Sequence, residues 1–192
     1  MSRGHLLSPH LYLGVLEPAY RPEYSERYRR NVRWVIDVAE GGGKLHTDQG
    51  GPTKYGIAQK WHPHVDVANL TREGAVQIYY DQYWRRVRGD ELPEVVALAL
   101  FDAVVNQAQA IKLWQEIVGV PADGIVGPAT LRASQAMPEE RVVAYLVARH
   151  CYYEQLGRER PGVHGRSVRG WHQRLAKLAM ALGWQVAREA SA

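Results

Sequence analysis

Glu40 closes a run of helical pattern and is followed at once by Gly41, Gly42 and Gly43. Asp48 comes eight residues after Glu40, and Thr53 five after that. A carboxylic acid with a second carboxylate in reach is the equipment for splitting an acetal. One group protonates the departing oxygen while the other activates water or steadies the developing oxocarbenium charge. Val32, Ile36 and Glu40 are four residues apart, so on a helix they share the apolar face and Glu40 is expected to point inward. Burial and the negative end of the helix dipole both predict a raised pKa, which keeps a general acid protonated near neutral pH. The glycines permit a sharp exit and let a bulky ligand approach the backbone. Thr53 is placed to orient the water or Asp48, and Tyr55 to flank a sugar ring. Each residue also has a plainer reading: Glu40 as an exposed last-turn side chain, Asp48 as a turn former, Thr53 as a strand residue.

The elements that must hold these residues can be sketched from periodicity. A helix is expected from about Ser25 to Glu40, with Ser25 as N-cap and Tyr28, Val32, Val35, Ile36 and Ala39 as its buried face. Lys44 to Ile57 is rich in Gly, Pro, Asp and Thr and reads as a hairpin or tight loop. Helical pattern returns after Thr71 and continues to about Val87. Glu94 to Val118 is apolar enough for one helix or two abutting ones, and Val120 to Thr130 is turn chemistry. Two further helices are expected, about Pro138 to Leu156 and Val168 to Val186, with a loop over Arg158 to Arg169. Residues 1 to about 24 read as an irregular extension packed on the body. The fold class is mainly α, with one small β element beside the candidate site.

Composition narrows the partners. The 192 residues carry a net charge of +4, which favours an anionic polymer. The basic residues form no nucleic-acid motif, so no nucleic-acid partner is expected. Six Trp and eleven Tyr stand against a single Phe, and such amphipathic rings suit gripping sugars as well as filling a core. Cys151 is the only cysteine, which rules out an intramolecular disulfide, and its apolar helical setting predicts an inert core thiol. Met1 to Leu16 has no basic start followed by a sustained apolar stretch, so no signal peptide is expected. Synthesis in the cytoplasm is expected, and a target outside the membrane would be reached only with a holin or by lysis. His62 and His64 flank Pro63 with no Cys or Glu at ligand spacing, so they read as loop histidines. No metal and no cofactor are expected, and a monomer is the default.

Longer runs add a resemblance. Val35-Ile-Asp-Val-Ala-Glu-Gly-Gly-Gly, followed by Asp48-Gln-Gly-Gly-Pro-Thr-Lys-Tyr-Gly-Ile57, resembles the signature of glycoside hydrolase family 108, phage and prophage muramidases. Downstream, Tyr80-Asp-Gln-Tyr-Trp84, Leu92-Pro93, Phe101-Asp-Ala-Val-Val-Asn106, Trp114-Gln115, Asp123-Gly-Ile-Val-Gly-Pro-Ala-Thr-Leu131 and Arg169-Gly-Trp-His-Gln-Arg174 come in the same order. The likeness covers about residues 31 to 180. It implies a lysozyme-like, two-lobed helical fold with the cleft between the lobes. It also implies an endolysin-type enzyme that hydrolyses the β-1,4 bond between N-acetylmuramic acid and N-acetylglucosamine in bacterial peptidoglycan. By that likeness Glu40 is the acid, and Asp48 and Thr53 resemble the water-holding pair of phage lysozymes. Two positions depart from the pattern. Gly43 stands where the family has an aromatic, and the Glu-to-Asp spacing is one residue shorter. Asp37 and Asp102 therefore remain open as partners of Glu40.

The implied organisation is an N-terminal extension over 1–30, a catalytic region over 31–118 and a helical peptidoglycan-binding-like region over 119–192. Asn106 and Gln107 are candidate binders of substrate amides, or else a polar cap between helices. The last helix places Trp171, Leu175, Leu178 and Leu182 on one face with Arg174 and Lys177 elsewhere. That pattern suits contact with an outer membrane as well as core packing. Three alternatives remain open: a lytic transglycosylase, a chitin- or chitosan-cleaving enzyme, and a non-catalytic wall-binding module in which Glu40 would be dispensable.

Overall fold

The computed structural model describes residues 24–48, 50–136 and 138–189. The extension expected over the first 24 residues lies almost wholly outside them. The chain divides into two compact units between Gln82 and Tyr83.

In the first unit, α1 runs Glu26–Trp34, and Ser25 Oγ accepts the Tyr28 N–H at 3.0 Å as its N-cap. The helix then widens into a π turn over Val35–Ala39, where the Glu40 N–H reaches back to Val35 O at 2.9 Å. An extra residue in the ladder changes the angular position of every later side chain. Tyr28, Val32, Val35 and Ile36 are buried as expected, whereas Ala39 and Glu40 are only half-buried. The rings of Tyr24, Tyr28 and Tyr80 pack edge to face at 4.7 to 5.2 Å. The Tyr28 hydroxyl donates to Val76 O, and burial pushes its pKa up.

The expected hairpin is a three-stranded antiparallel sheet, with β1 His46–Asp48, β2 Gly51–Lys54 and β3 Ile57–Ala58 in that order. The extra strand results from a second reversal at Tyr55-Gly56, both with positive φ. His62 in the next loop is buried, with Nδ1 3.2 Å from Ala58 O, and desolvation lowers its pKa. Then α2, Arg72–Tyr79, begins at Thr71, whose Oγ1 accepts the Gly74 N–H. A second π turn over Tyr80–Trp84 and the short α3, Arg85–Val87, complete the helical stretch expected to Val87.

The second unit is built on α4, Glu94–Asn106, buried at every position from Val95 to Val104. The stretch to Val118 is two helices, since α5 spans Ala110–Val118. A third helix, α6 Pro128–Ser134, replaces part of the expected turn region; Gly127 precedes it and Pro128 sits in its first turn, where a missing N–H costs nothing. Buried Gln115 holds the turn before it. Its Oε1 accepts the Gly124 N–H at 2.8 Å while Nε2 donates to Asp123 Oδ1 at 2.7 Å.

The expected loop over Arg158 to Arg169 is helical. Here α7 spans Pro138–Glu159 and α8 Pro161–Glu189, packed on one another with a single residue between them. Pro161 lacks an N–H and starts a helix as readily as it ends one, which the loop reading overlooked. Leu175, Leu178 and Leu182 are buried, so this apolar stripe packs within the unit. Cys151 is exposed, not a core thiol, because it lies on the outer side of α7. Arg174, placed by the pattern off the apolar face, is buried. Among the described residues no helix is long and apolar enough to cross a membrane.

The charge at the centre of this unit is compensated. Asp102 is fully buried, with Arg149 Nη1 at 2.9 Å on one oxygen and Arg174 Nε at 2.7 Å on the other. Removing one partner of such a set strands the rest without solvent, which costs about 3–5 kcal/mol. Arg149→Met should lower the unfolding free energy by that amount in urea titration, whereas Arg132→Met on the exposed side of α6 should leave it within about 0.5 kcal/mol.

Candidate active site

All three residues expected to do chemistry lie in the first unit. Glu40 takes its place because the π turn ends in two left-handed glycines, Gly41 at φ +73° and Gly42 at φ +90°. The Gly42 N–H bonds Ile36 O at 2.8 Å and turns the chain back. The Glu40 side chain then lies against the Tyr55-Gly56 reversal. A Cβ built on Gly56 would stand 2.5 Å from Glu40 Cδ and Cγ and from the Tyr79 hydroxyl. Glycine is needed there twice over, for its φ of +78° and for the absence of a side chain.

Tyr55 is the strained member of this turn, with φ +54°, unusual for a residue with a bulky side chain. Two contacts hold it. The Tyr79 hydroxyl donates to Tyr55 O at 2.8 Å, and the Tyr55 ring fills the space beside Gly43. A Cβ on Gly43 would lie 2.2 Å from the ring. The missing aromatic of the sequence pattern is thus accompanied by another ring, Tyr55, over the same backbone.

Asp48 and Thr53 are brought together by the β1–β2 reversal. Asp48 Oδ1 accepts the Gly50 N–H at 2.7 Å and lies 3.2 Å from Thr53 Oγ1, which can also donate to Gly51 O at 3.1 Å. Thr53 is buried and Asp48 exposed, so the hydroxyl acts from beneath on a carboxylate that faces solvent. His46, two residues before Asp48 on the same strand face, sits with Nε2 3.5 Å from Asp48 Oδ2.

The two other carboxylates left open are taken. Asp37 is gripped by both terminal nitrogens of Arg72 at 2.6 and 2.7 Å, a hydrogen-bonded pairing that lowers its pKa. Asp102 is the buried bridge of the second unit. Asn106 and Gln107 also lie in that unit, around Arg149. Gln107 is buried with Oε1 accepting from Arg149 Nε at 3.2 Å, while exposed Asn106 accepts the Tyr153 hydroxyl at 2.9 Å.

Sequence reasoning missed Tyr79, Gly56 and His46. Tyr79 sits in an apolar helical run and reads as core. The Tyr-Gly pair is a turn signal that was absorbed into a single hairpin. The alternation of His46 and Asp48 along one strand face was available.

Comparison with known proteins places the chain in a family. The family model for Glycosyl hydrolase 108 matches residues 33–107, which include Glu40, Asp48, Thr53 and Tyr55. A second, for a Predicted Peptidoglycan domain, matches residues 109–176. A solved structure of SagA from Brucella abortus superposes with a TM-score of 0.63 at 30% identity, covering 79% of this chain and 95% of that one. The chain belongs to the glycosyl hydrolase 108 family. No curated protein matches it. It is a peptidoglycan-acting glycosyl hydrolase with a lysozyme-like, mainly helical fold and a small sheet. The two family segments meet between residues 107 and 109, at the break between α4 and α5.

The Gly56 contact gives a test of the site's construction. Gly56→Ala should cost about 1–2 kcal/mol from its left-handed backbone and displace the acid as well. Peptidoglycan hydrolysis by the folded protein should drop roughly ten- to a hundredfold. Gly119→Ala, at φ +75° with open space around it, should show a similar stability cost and full activity. Equal activity in both variants would show that the turn does not position Glu40.

Proposed function

We propose that this chain is an N-acetylmuramidase that hydrolyses the β-1,4 bond between N-acetylmuramic acid and N-acetylglucosamine, with Glu40 as general acid. The observation that carries the reading is the seat of Glu40. It is half-buried, its side chain lying against Gly56, which has none, in the segment that matches the hydrolase family. Glu40 gives its proton to the glycosidic oxygen as the bond to the anomeric carbon breaks.

Asp48 and Thr53 supply the other half. An exposed carboxylate with a hydroxyl at 3.2 Å can hold one water between them, the carboxylate accepting its proton as the water attacks the anomeric carbon. Asp37 and Asp102 are both committed to arginines, which favours Asp48 for the task. Tyr55, fixed by the Tyr79 hydroxyl, offers a ring face to a sugar. Asn106, exposed at the end of α4, is the member of the amide pair open to a substrate amide, and buried Gln107 acts through Arg149. The region over 119–192 adds contacts to the wall polymer. A route to the wall through a holin or lysis, a monomeric state and phage-driven bacteriolysis belong to the same reading.

Mass spectrometry of soluble fragments from purified peptidoglycan tests this, with wild type and Glu40→Gln in parallel. General acid catalysis is worth about a hundred- to ten-thousandfold, so fragments with reducing muramic ends should appear with wild type and all but vanish with the variant. Anhydro-muramic ends would make the enzyme a lytic transglycosylase. Equal release by Glu40→Gln would remove Glu40 from the chemistry.

A further inference from the structure

The helix pair α7–α8 gathers a group of side chains that the hydrolytic reading does not use. His150 and Glu154 are four residues apart on α7 and so share one face. His172 lies opposite them on α8. One ligand atom from each of the three falls within 4.8 Å of the others. The rings of His150 and His172 stack at 4.3 Å with 28° between their planes. Glu154 Oε1 stands 3.4 Å from His172 Nε2. That contact lacks hydrogen-bond geometry, and His172 Nε2 is a buried nitrogen without a hydrogen-bond partner.

We propose that His150, Glu154 and His172 form a binding site for a divalent transition-metal ion of the zinc class. Two neutral imidazoles and a carboxylate are a familiar donor set for such an ion, with one position left for water. Two ligand atoms on a tetrahedral zinc ion are about 3.3 Å apart, given bonds of about 2.0 to 2.1 Å. The Glu154–His172 separation already matches that edge. Closing the rest of the 4.8 Å spread takes a rotation of the exposed His150 ring off its stack with His172. Leu146, Val147, Leu175 and Ala176 line the open recess beside these side chains.

The site would clamp α7 to α8 at mid-length. It goes against the sequence expectation of no metal, which weighed His62 and His64 and took the residues between the two helices for a loop. With a loop there, nothing sets His172 opposite His150. The helical hairpin does.

The test is zinc titration of the full chain by calorimetry at neutral pH, with Cys151→Ser as the background so that the exposed thiol takes no part. Cobalt substitution serves as a spectroscopic check. One zinc per chain is expected, with the visible bands of tetrahedral cobalt and a rise in thermal midpoint as zinc is added. His172→Ala and Glu154→Gln should each weaken binding at least tenfold, and His164→Ala, a nearby histidine outside the group, should not. Absence of saturable binding, or the same affinity in His172→Ala and Glu154→Gln as in their background, would overturn the proposal.

Discussion

The carboxyl of Glu40 rests on the backbone of Gly56, and most of the first unit serves that contact. The π turn lengthens α1 by a residue, and Glu40 at its end is half-buried. Gly41 and Gly42 let the chain leave at once, so the strands return beneath the acid without a side chain between. Tyr55 accepts an unfavourable φ so that Gly56 can come close, and the Tyr79 hydroxyl from α2 holds it there. Strain of this kind persists only where the surroundings over-determine it, and it concentrates at functional sites. The same short sheet sets Thr53 under Asp48, so the β element carries one half of the proposed chemistry and its Tyr55-Gly56 reversal seats the other.

The second unit solves a different problem. A helix buried at ten successive positions has no solvated face, and α4 carries Asp102 in the middle of that run. Two arginines from α7 and α8 neutralise it. Arg149 extends the network to Tyr153, Asn106 and Gln107. Buried ion pairs add little net stability against an apolar replacement, and this one ties α4 to both arms of the α7–α8 hairpin that sets His150 and Glu154 beside His172. Gln115 does similar work for the Asp123-Gly124 turn, accepting the Gly124 N–H and donating to Asp123 Oδ1 from one buried amide.

Much of this was legible in the residues. The Ser25 cap, the buried face of α1, the break after Glu40 and the β element follow from spacing and turn chemistry. The π turn does not, because a single inserted residue leaves no mark on so short a hydrophobic pattern. The α7–α8 hairpin was hidden for a related reason. Pro161 and four glycines between residues 157 and 170 read as loop, and only packing against α4 and α7 makes that stretch helical. Arg174 was misplaced because an arginine in an amphipathic pattern is ordinarily solvated, and its partner Asp102 lies 72 residues away. Single-sequence periodicity carries no information about such pairs. For the site, the residue types at Glu40, Asp48 and Thr53 were readable, while the groups that hold them in place, Gly56 and Tyr79, were not.

In the proposed mechanism Asp48 and Thr53 deliver water to the face of the sugar opposite Glu40. Proton NMR of the first product formed from a peptidoglycan glycan strand, recorded before mutarotation, reads this directly. Attack from that face predicts that the new reducing muramic acid appears first as the α anomer, by inversion. First appearance of the β anomer would mean that a covalent or otherwise retaining route operates, and would contradict the role given to Asp48 and Thr53.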